Sequence, residues 1–174
     1  MNRVVTLREL SFEHAPMMVE AAIESVAEVN PWMDWCTHDF NVETAKTFIS
    51  QQIDARQTRA AYEFSLFTED GRYLGGGGIN SVNQQCRFAN VGYWIRSSQT
   101  RSGYGTAALV SLVKWARANT ELNRLEVVVA KNNHASRRVA EKSGALFEGV
   151  ARSRLYNNGN YLDACVYAFT RIDL

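Results

Sequence analysis

The run Thr100-Arg101-Ser102-Gly103-Tyr104-Gly105-Thr106 leads into a helical pattern in which Ala108, Leu109, Leu112, Val113 and Ala116 share one side. A glycine-containing turn that opens a helix gathers unpaired backbone N–H groups and the positive end of the helix dipole at one spot, which suits an anion. Gly103 and Gly105 let the main chain approach a phosphate closely, and Arg101 adds a full charge beside them. The chemistry offered is the holding of a pyrophosphate. Gly-x-Gly before a helix is also an ordinary structural turn, and that reading stands beside the first.

The residues downstream of the turn exclude other glycine motifs. No Gly-Lys-Ser/Thr stands at P-loop spacing, and Ala108 occupies the third glycine position of a dinucleotide fingerprint, which also lacks its acidic strand end. CoA fits better than ATP or NAD. The glycines at 75–78 precede no helix, so close strand packing or bulges account for them. His14, His38 and His134 have no ligand spacing, and Cys36, Cys86 and Cys165 form no CxxC pair. No metal is assigned, and the cysteines are read as reduced packing residues.

The elements that must position this loop are set by periodicity. Residues 4–10 alternate as a strand, and apolar positions at helical spacing predict one helix over 12–29, with Pro16 tolerated in its first turn and Pro31 ending it. An aromatic segment at 31–35 precedes a second helix bearing Ala45, Phe48, Ile49 and Ile53. Strands at 62–68, 73–82 and 87–95 form a meander with an Asp-Gly turn. A helix at 105–118, a buried strand at 124–130, a short helix at 136–143 ended by Gly144, and a hairpin over 146–156 and 161–171 complete the chain. The order β-α-α-β-β-β-α-β-α-β-β predicts an α+β (mixed α/β) fold, a mixed sheet with helices on both faces and no repeat.

The 174 residues suit one compact domain spanning 1–174. Nineteen basic against eighteen acidic residues give no global electrostatic case for nucleic acid or an anionic membrane. The N-terminus lacks the apolar run of a signal peptide, and no stretch approaches the roughly 20 apolar residues of a membrane span. The expected location is the cytoplasm.

Further motifs occur in order with the phosphate turn. They are Gly92-Tyr93-Trp94-Ile95 before it, Asn133-His134-Ala135-Ser136 and Glu141-Lys142-Ser143-Gly144-Ala145 after it, and Phe147-Glu148-Gly149 near the close. Together they resemble a GNAT N-acetyltransferase of the RimJ/RimL type, over nearly the whole chain. The departure is at Thr100, where that family's phosphate loop usually begins with Arg or Gln, with Arg101 one place later.

The resemblance implies a central mixed sheet of about seven strands with a splayed parallel pair, and acetyl-CoA as cosubstrate. Pantetheine would lie along Tyr93, Trp94 and Ile95, and the pyrophosphate on Arg101, Ser102, Gly103, Tyr104, Gly105 and Thr106, with Asn133 and Ser136 across the cleft. Ser136 is either the sulfur anchor and leaving-group acid or a plain helix cap. Glu63 and Glu126 are the candidate bases, each equally readable as a solvated or ion-paired strand residue, and a water chain can replace both. Trp32, Asp34 and Trp35 fall beside the acceptor groove that the resemblance implies, although the indoles can equally be core. The implied reaction is direct attack by a primary amine on the thioester, the acceptor being a protein or peptide N-terminal α-amine. A small-molecule amine and a non-catalytic acyl-CoA-binding module are the alternatives. The oligomeric state, monomer or homodimer, is left open.

Overall fold

The computed structural model describes residues 3–171. Seven strands, β1 (Thr6–Glu9), β2 (Tyr62–Phe67), β3 (Tyr73–Asn83), β4 (Phe88–Ile95), β5 (Arg124–Ala130), β6 (Leu146–Asn157) and β7 (Asn160–Thr170), form one sheet in the order β1-β2-β3-β4-β5-β7-β6. Five helices accompany it: α1 (Ala15–Glu24), α2 (Val26–Val29), α3 (Val42–Gln57), α4 (Tyr104–Asn119) and α5 (His134–Lys142). One face of the sheet packs Phe64, Ile79, Val91, Leu125 and Val127 against Leu109 and Leu112 of α4 and Ala140 of α5. The other face packs Phe67 and Tyr73 against Met18 and Ala22 of α1 and Ile49 of α3.

All neighbouring strands are antiparallel except β4 and β5, and that pair joins only from Phe88–Arg124 to Asn90–Glu126. Beyond it β5 stays on β7 as far as Ala130–Ala164, while β4 continues on β3 to Ile95–Gly75. The parallel strands therefore part above Asn90. The Arg96 N–H donates to the Leu74 carbonyl at 2.7 Å. Since main-chain groups alternate along a strand, those of Tyr93 and Ile95 point the opposite way, into the gap, where no strand meets them.

The continuous helix expected over 12–29 is interrupted. A 3-10 turn at Phe12–His14 leads into α1, and the backbone leaves helical geometry at Ser25. The buried Ser25 hydroxyl donates to the Ala21 carbonyl at 2.6 Å and accepts the Ser97 N–H at 2.9 Å. A serine bonding back into its own helix bends it, and here the bend also captures a strand end. Arg96 reinforces the junction by pairing with Glu20 and Glu24 of α1, and Ser97 donates to Glu28 of α2 at 2.7 Å.

The glycines at 75–78 make room for side chains of the neighbouring strands. A Cβ at Gly76 would stand 2.8 Å from the Trp94 indole nitrogen, and one at Gly78 would stand 2.3 Å from the Glu63 carboxylate. Real side chains do not tolerate such contacts, so β3 has no side chains where its neighbours need space. Cys36 and Cys165 are buried as expected of packing residues, whereas Cys86 is exposed, a correction to the sequence reading, because it lies in the β3–β4 turn. No helix among the described residues is long and apolar enough to cross a membrane.

Candidate active site

A cavity of about 780 Å³ opens where β4 and β5 part. Its floor is Tyr93, Trp94 and Ile95, one wall is the turn before α4, and the other is α5. Of the residues expected at the phosphate turn, Arg101, Gly103, Gly105 and Thr106 line it, as does Thr100. Arg101 and Gly103 both have left-handed backbones, with φ of 58° and 86°. Left-handed residues in a turn gather N–H groups into an anion-binding concavity, and Gly103 is the N-cap of α4. Arginine reaches that conformation only at a cost, a strain of the kind stored at ligand-holding turns.

Ser102 and Tyr104, also expected at the phosphate turn, do not line the cavity. The Ser102 hydroxyl donates to the Thr100 carbonyl at 3.2 Å, and the Tyr104 ring is buried in the core under the Arg3 guanidinium. Gly105 is small for the sake of Tyr93, whose ring would stand 3.0 Å from a Cβ there. The helix start and the floor of the cavity are thus shaped to each other.

Across the gap, Asn133 caps α5 by accepting the Ser136 N–H at 3.0 Å. The capping role that sequence left open for Ser136 belongs to Asn133, because α5 begins two residues earlier, at His134. The Ser136 hydroxyl is instead within hydrogen-bonding reach of the Tyr93 phenol. Burial pushes the Tyr93 pKa up to about 12, against a smaller downward pull from Ser136.

The two candidate carboxylates lie outside the cavity lining, on the sheet face turned away from α4, which they share with Trp94. Glu63 accepts from Asn80 Nδ2 at 3.1 Å, and burial raises its pKa above the usual carboxylate range, opposed by that hydrogen bond and by Arg56. Glu126 is ion-paired to Arg124 at 2.9 Å, and Arg124 is also gripped by Glu148. Asn80 pairs with Asn90 and Asn90 with Glu126 in the sheet register. Cross-strand partners share a face, so Glu63, Asn80, Asn90 and Glu126 form a polar band directly below the level at which the strands separate. Sequence reasoning passed over Asn80 and Asn90, although their alternation with the buried Ile79 and Ala89 marks them as facing away from α4.

The aromatic segment divides its tasks. Trp32 lines the main cavity and also a smaller groove of about 380 Å³ shared with Lys131, Tyr161 and Asp163. Trp35 instead packs edge-on against Phe40 and Trp94, at 5.3 and 5.5 Å between ring centroids. The Asp34 N–H donates to Asn157 Oδ1 at 3.0 Å, and Asn157 Nδ2 donates to the Pro31 carbonyl at 3.0 Å. Asn157, at the end of the β6–β7 hairpin, carried no functional signal in the sequence, and its partners lie over 120 residues away. Among the described residues, no group of three or more His, Cys, Asp or Glu stands together as metal ligands.

A seven-stranded mixed sheet with one parallel pair parting beside the start of α4 is the acetyltransferase architecture, and the comparisons agree. Residues 5–146 match the family described as acetyltransferase (GNAT) domain, and the chain belongs to that family. It is 29% identical to YdaF of Bacillus subtilis, provisionally named a ribosomal N-acetyltransferase, over 98% of this chain and 93% of that one. The structure of Mycobacterium smegmatis RimJ in complex with CoA-disulfide superposes with a TM-score of 0.90 at 27% identity, covering 98% of this chain and 83% of that one. The microcin C7 self-immunity acetyltransferase MccE, solved with acetyl-CoA and AMP, gives a TM-score of 0.89 at 20% identity, covering 96% and 92%. That last likeness speaks for the fold alone.

Proposed function

We propose that this chain transfers acetyl from acetyl-CoA to a primary amine, the N-terminal α-amine of a protein or peptide. The observation that carries the reading is the gap above Asn90, where the main-chain groups of Tyr93 and Ile95 have no strand partner and a left-handed phosphate turn stands at one end. An extended chain of two amides ending in a pyrophosphate has the polar groups to match both. Pantetheine pairs with β4 as an added strand, and the turn before α4 takes the pyrophosphate.

The neutral amine attacks the thioester carbonyl, forming a C–N bond. A tetrahedral intermediate collapses as the C–S bond breaks. The inward N–H of Ile95 stabilises the oxyanion, and Ser136 lies where a departing thiolate takes up a proton or a hydrogen bond. The amine proton leaves along water above the polar band, with Glu63 as the group whose raised pKa best suits it to receive a proton.

The α-amine assignment draws on two supports. The relatives include proteins named for ribosomal targets. The acceptor side is also open, since Tyr156 and Tyr161, tilted against each other at 5.0 Å between ring centroids, are 63% and 73% exposed and would leave a peptide room to extend past Trp32. The test offers acetyl-CoA with peptides bearing free or blocked N-termini and with polyamines and amino-acid amides, following thiol release and the mass of each acceptor. Acetylation of free N-termini alone supports the proposal. Turnover only with small amines would replace the acceptor class, and binding without thiol release would remove the enzymatic reading.

A further inference from the structure

Helix α5 divides its charges between two sides. Arg137 and Glu141 both turn toward β7: Arg137 Nε donates to the Tyr167 hydroxyl at 3.3 Å, and that hydroxyl donates to Glu141 at 2.9 Å. Arg138 and Lys142, four residues apart and so on one helix face, line the main cavity instead. Both are exposed. Among the described residues the ion pairs engage Arg56, Arg96 and Arg124, so neither cavity-facing cation of α5 has a carboxylate partner. The acid on the cavity lining, Glu28, belongs to α2 and accepts from Ser97 at 2.7 Å.

Two unpaired cations, one turn apart on the wall of a cavity, call for a ligand carrying concentrated negative charge. The pyrophosphate already has its own site, made of main-chain N–H groups and Arg101 on the opposite wall. Ser136 fixes the thiol end of α5, and Lys142 lies six residues further along, about 9 Å at helical rise, away from the reacting centre. CoA has one phosphate left to place, the monoester on the ribose 3′ oxygen, which carries close to two charges at neutral pH. Arg138 supplies a planar fork for its oxygens and Lys142 a mobile point charge.

We propose that Arg138 and Lys142 form a second phosphate site that reads the 3′-phosphate of acetyl-CoA, so that the chain discriminates against 3′-dephospho-acetyl-CoA. The inference rests on the assignment of this cavity to acetyl-CoA, and calorimetric titration of both forms separates the two claims. The native chain is expected to bind acetyl-CoA about tenfold more tightly than the dephospho form, the worth of a charge-assisted contact. In the double variant Arg138→Ala/Lys142→Ala the two affinities should converge, while Arg101→Ala should weaken both by the same factor. Native protein without preference between the forms, or a double variant that weakens both equally, would overturn the inference and leave the cavity assignment intact. If neither form binds the native chain, the cavity assignment fails and the 3′-phosphate site falls with it.

Discussion

The phenol of Tyr93, on the cavity floor, faces the hydroxyl of Ser136, on the opposite wall, and the ring that carries it lies against Gly105 at the start of α4. If Ser136 meets the departing sulfur, Tyr93 acts through it. Ser136→Ala is then expected to lower kcat by roughly ten- to a hundredfold with little change in KM for acetyl-CoA, and Tyr93→Phe by less. The double variant should be no worse than Ser136→Ala, because the tyrosine has nothing left to orient. With its pKa near 12, Tyr93 stays protonated through the assay range, so the alkaline limb of the pH–rate profile should be the same in Tyr93→Phe. Multiplicative losses in kcat would separate the two residues.

The phosphate turn is tested by bulk. Gly103→Val puts a branched side chain on a backbone with φ of 86°, and Gly105→Leu drives into the Tyr93 ring. The pair should abolish measurable acetyl-CoA binding by calorimetry. Gly103→Ala alone should cost about 1 kcal/mol of stability by thermal unfolding and weaken binding only in part. Unchanged affinity in the double variant would remove the turn from the site.

Glu63 titrates above the normal carboxylate range because burial disfavours its charge. A raised folded-state pKa means that ionised Glu63 weakens the fold at neutral pH, and that this deficit disappears as pH falls below the folded value toward the unfolded one. Glu63→Gln should therefore raise the melting temperature at pH 7, and the gain should shrink on acidification. If Glu63 also receives the amine proton, the acid limb of kcat/KM disappears in the same variant. Glu126→Gln, which breaks a pair with Arg124, should lose stability instead.

The junction between β4 and α1 gives the opposite pH behaviour. Hydrogen bonding from Arg96 holds the Glu24 pKa at about 2, so its contribution is complete above the normal glutamate pKa and is lost as pH falls through 2. Glu24→Gln is expected to cost about 1–2 kcal/mol at pH 7 in chemical denaturation, and the difference from the native chain should shrink below the normal glutamate pKa and close only as pH falls through about 2. A constant difference down to pH 2 would place its origin in packing.

The order of elements along the chain, the hairpin turns and the glycine-containing turn before α4 were readable because each depends on local periodicity or on glycine placement within a few residues. The break at Ser25 was not, since Val26 and Val29 keep helical spacing through it and the Ser25 hydroxyl that bends the helix is also engaged by Ser97, 72 residues away. For the same reason the pattern of apolar residues set Trp32, Asp34 and Trp35 side by side but did not separate the cavity-lining Trp32 from Trp35, which braces Trp94. The left-handed Arg101 was also invisible. Only the closed turn reveals that the residue displaced by one place still lines the cavity.

The glycines at 75–78 turn β3 into a mould, a surface defined by what its neighbours press into it. Any side chain added there must displace Trp94, the Gly92 carbonyl or Glu63, so this strand has little freedom to drift in sequence without unseating the cavity floor. In the rim contributed by the 31–35 segment and the β6–β7 hairpin, Trp35 and Asn157 are held by packing and hydrogen bonds, whereas Trp32, Tyr156 and Tyr161 are exposed and under no such constraint. Evolutionary change in acceptor preference is therefore easiest at the rim, with the transfer chemistry held constant beneath it.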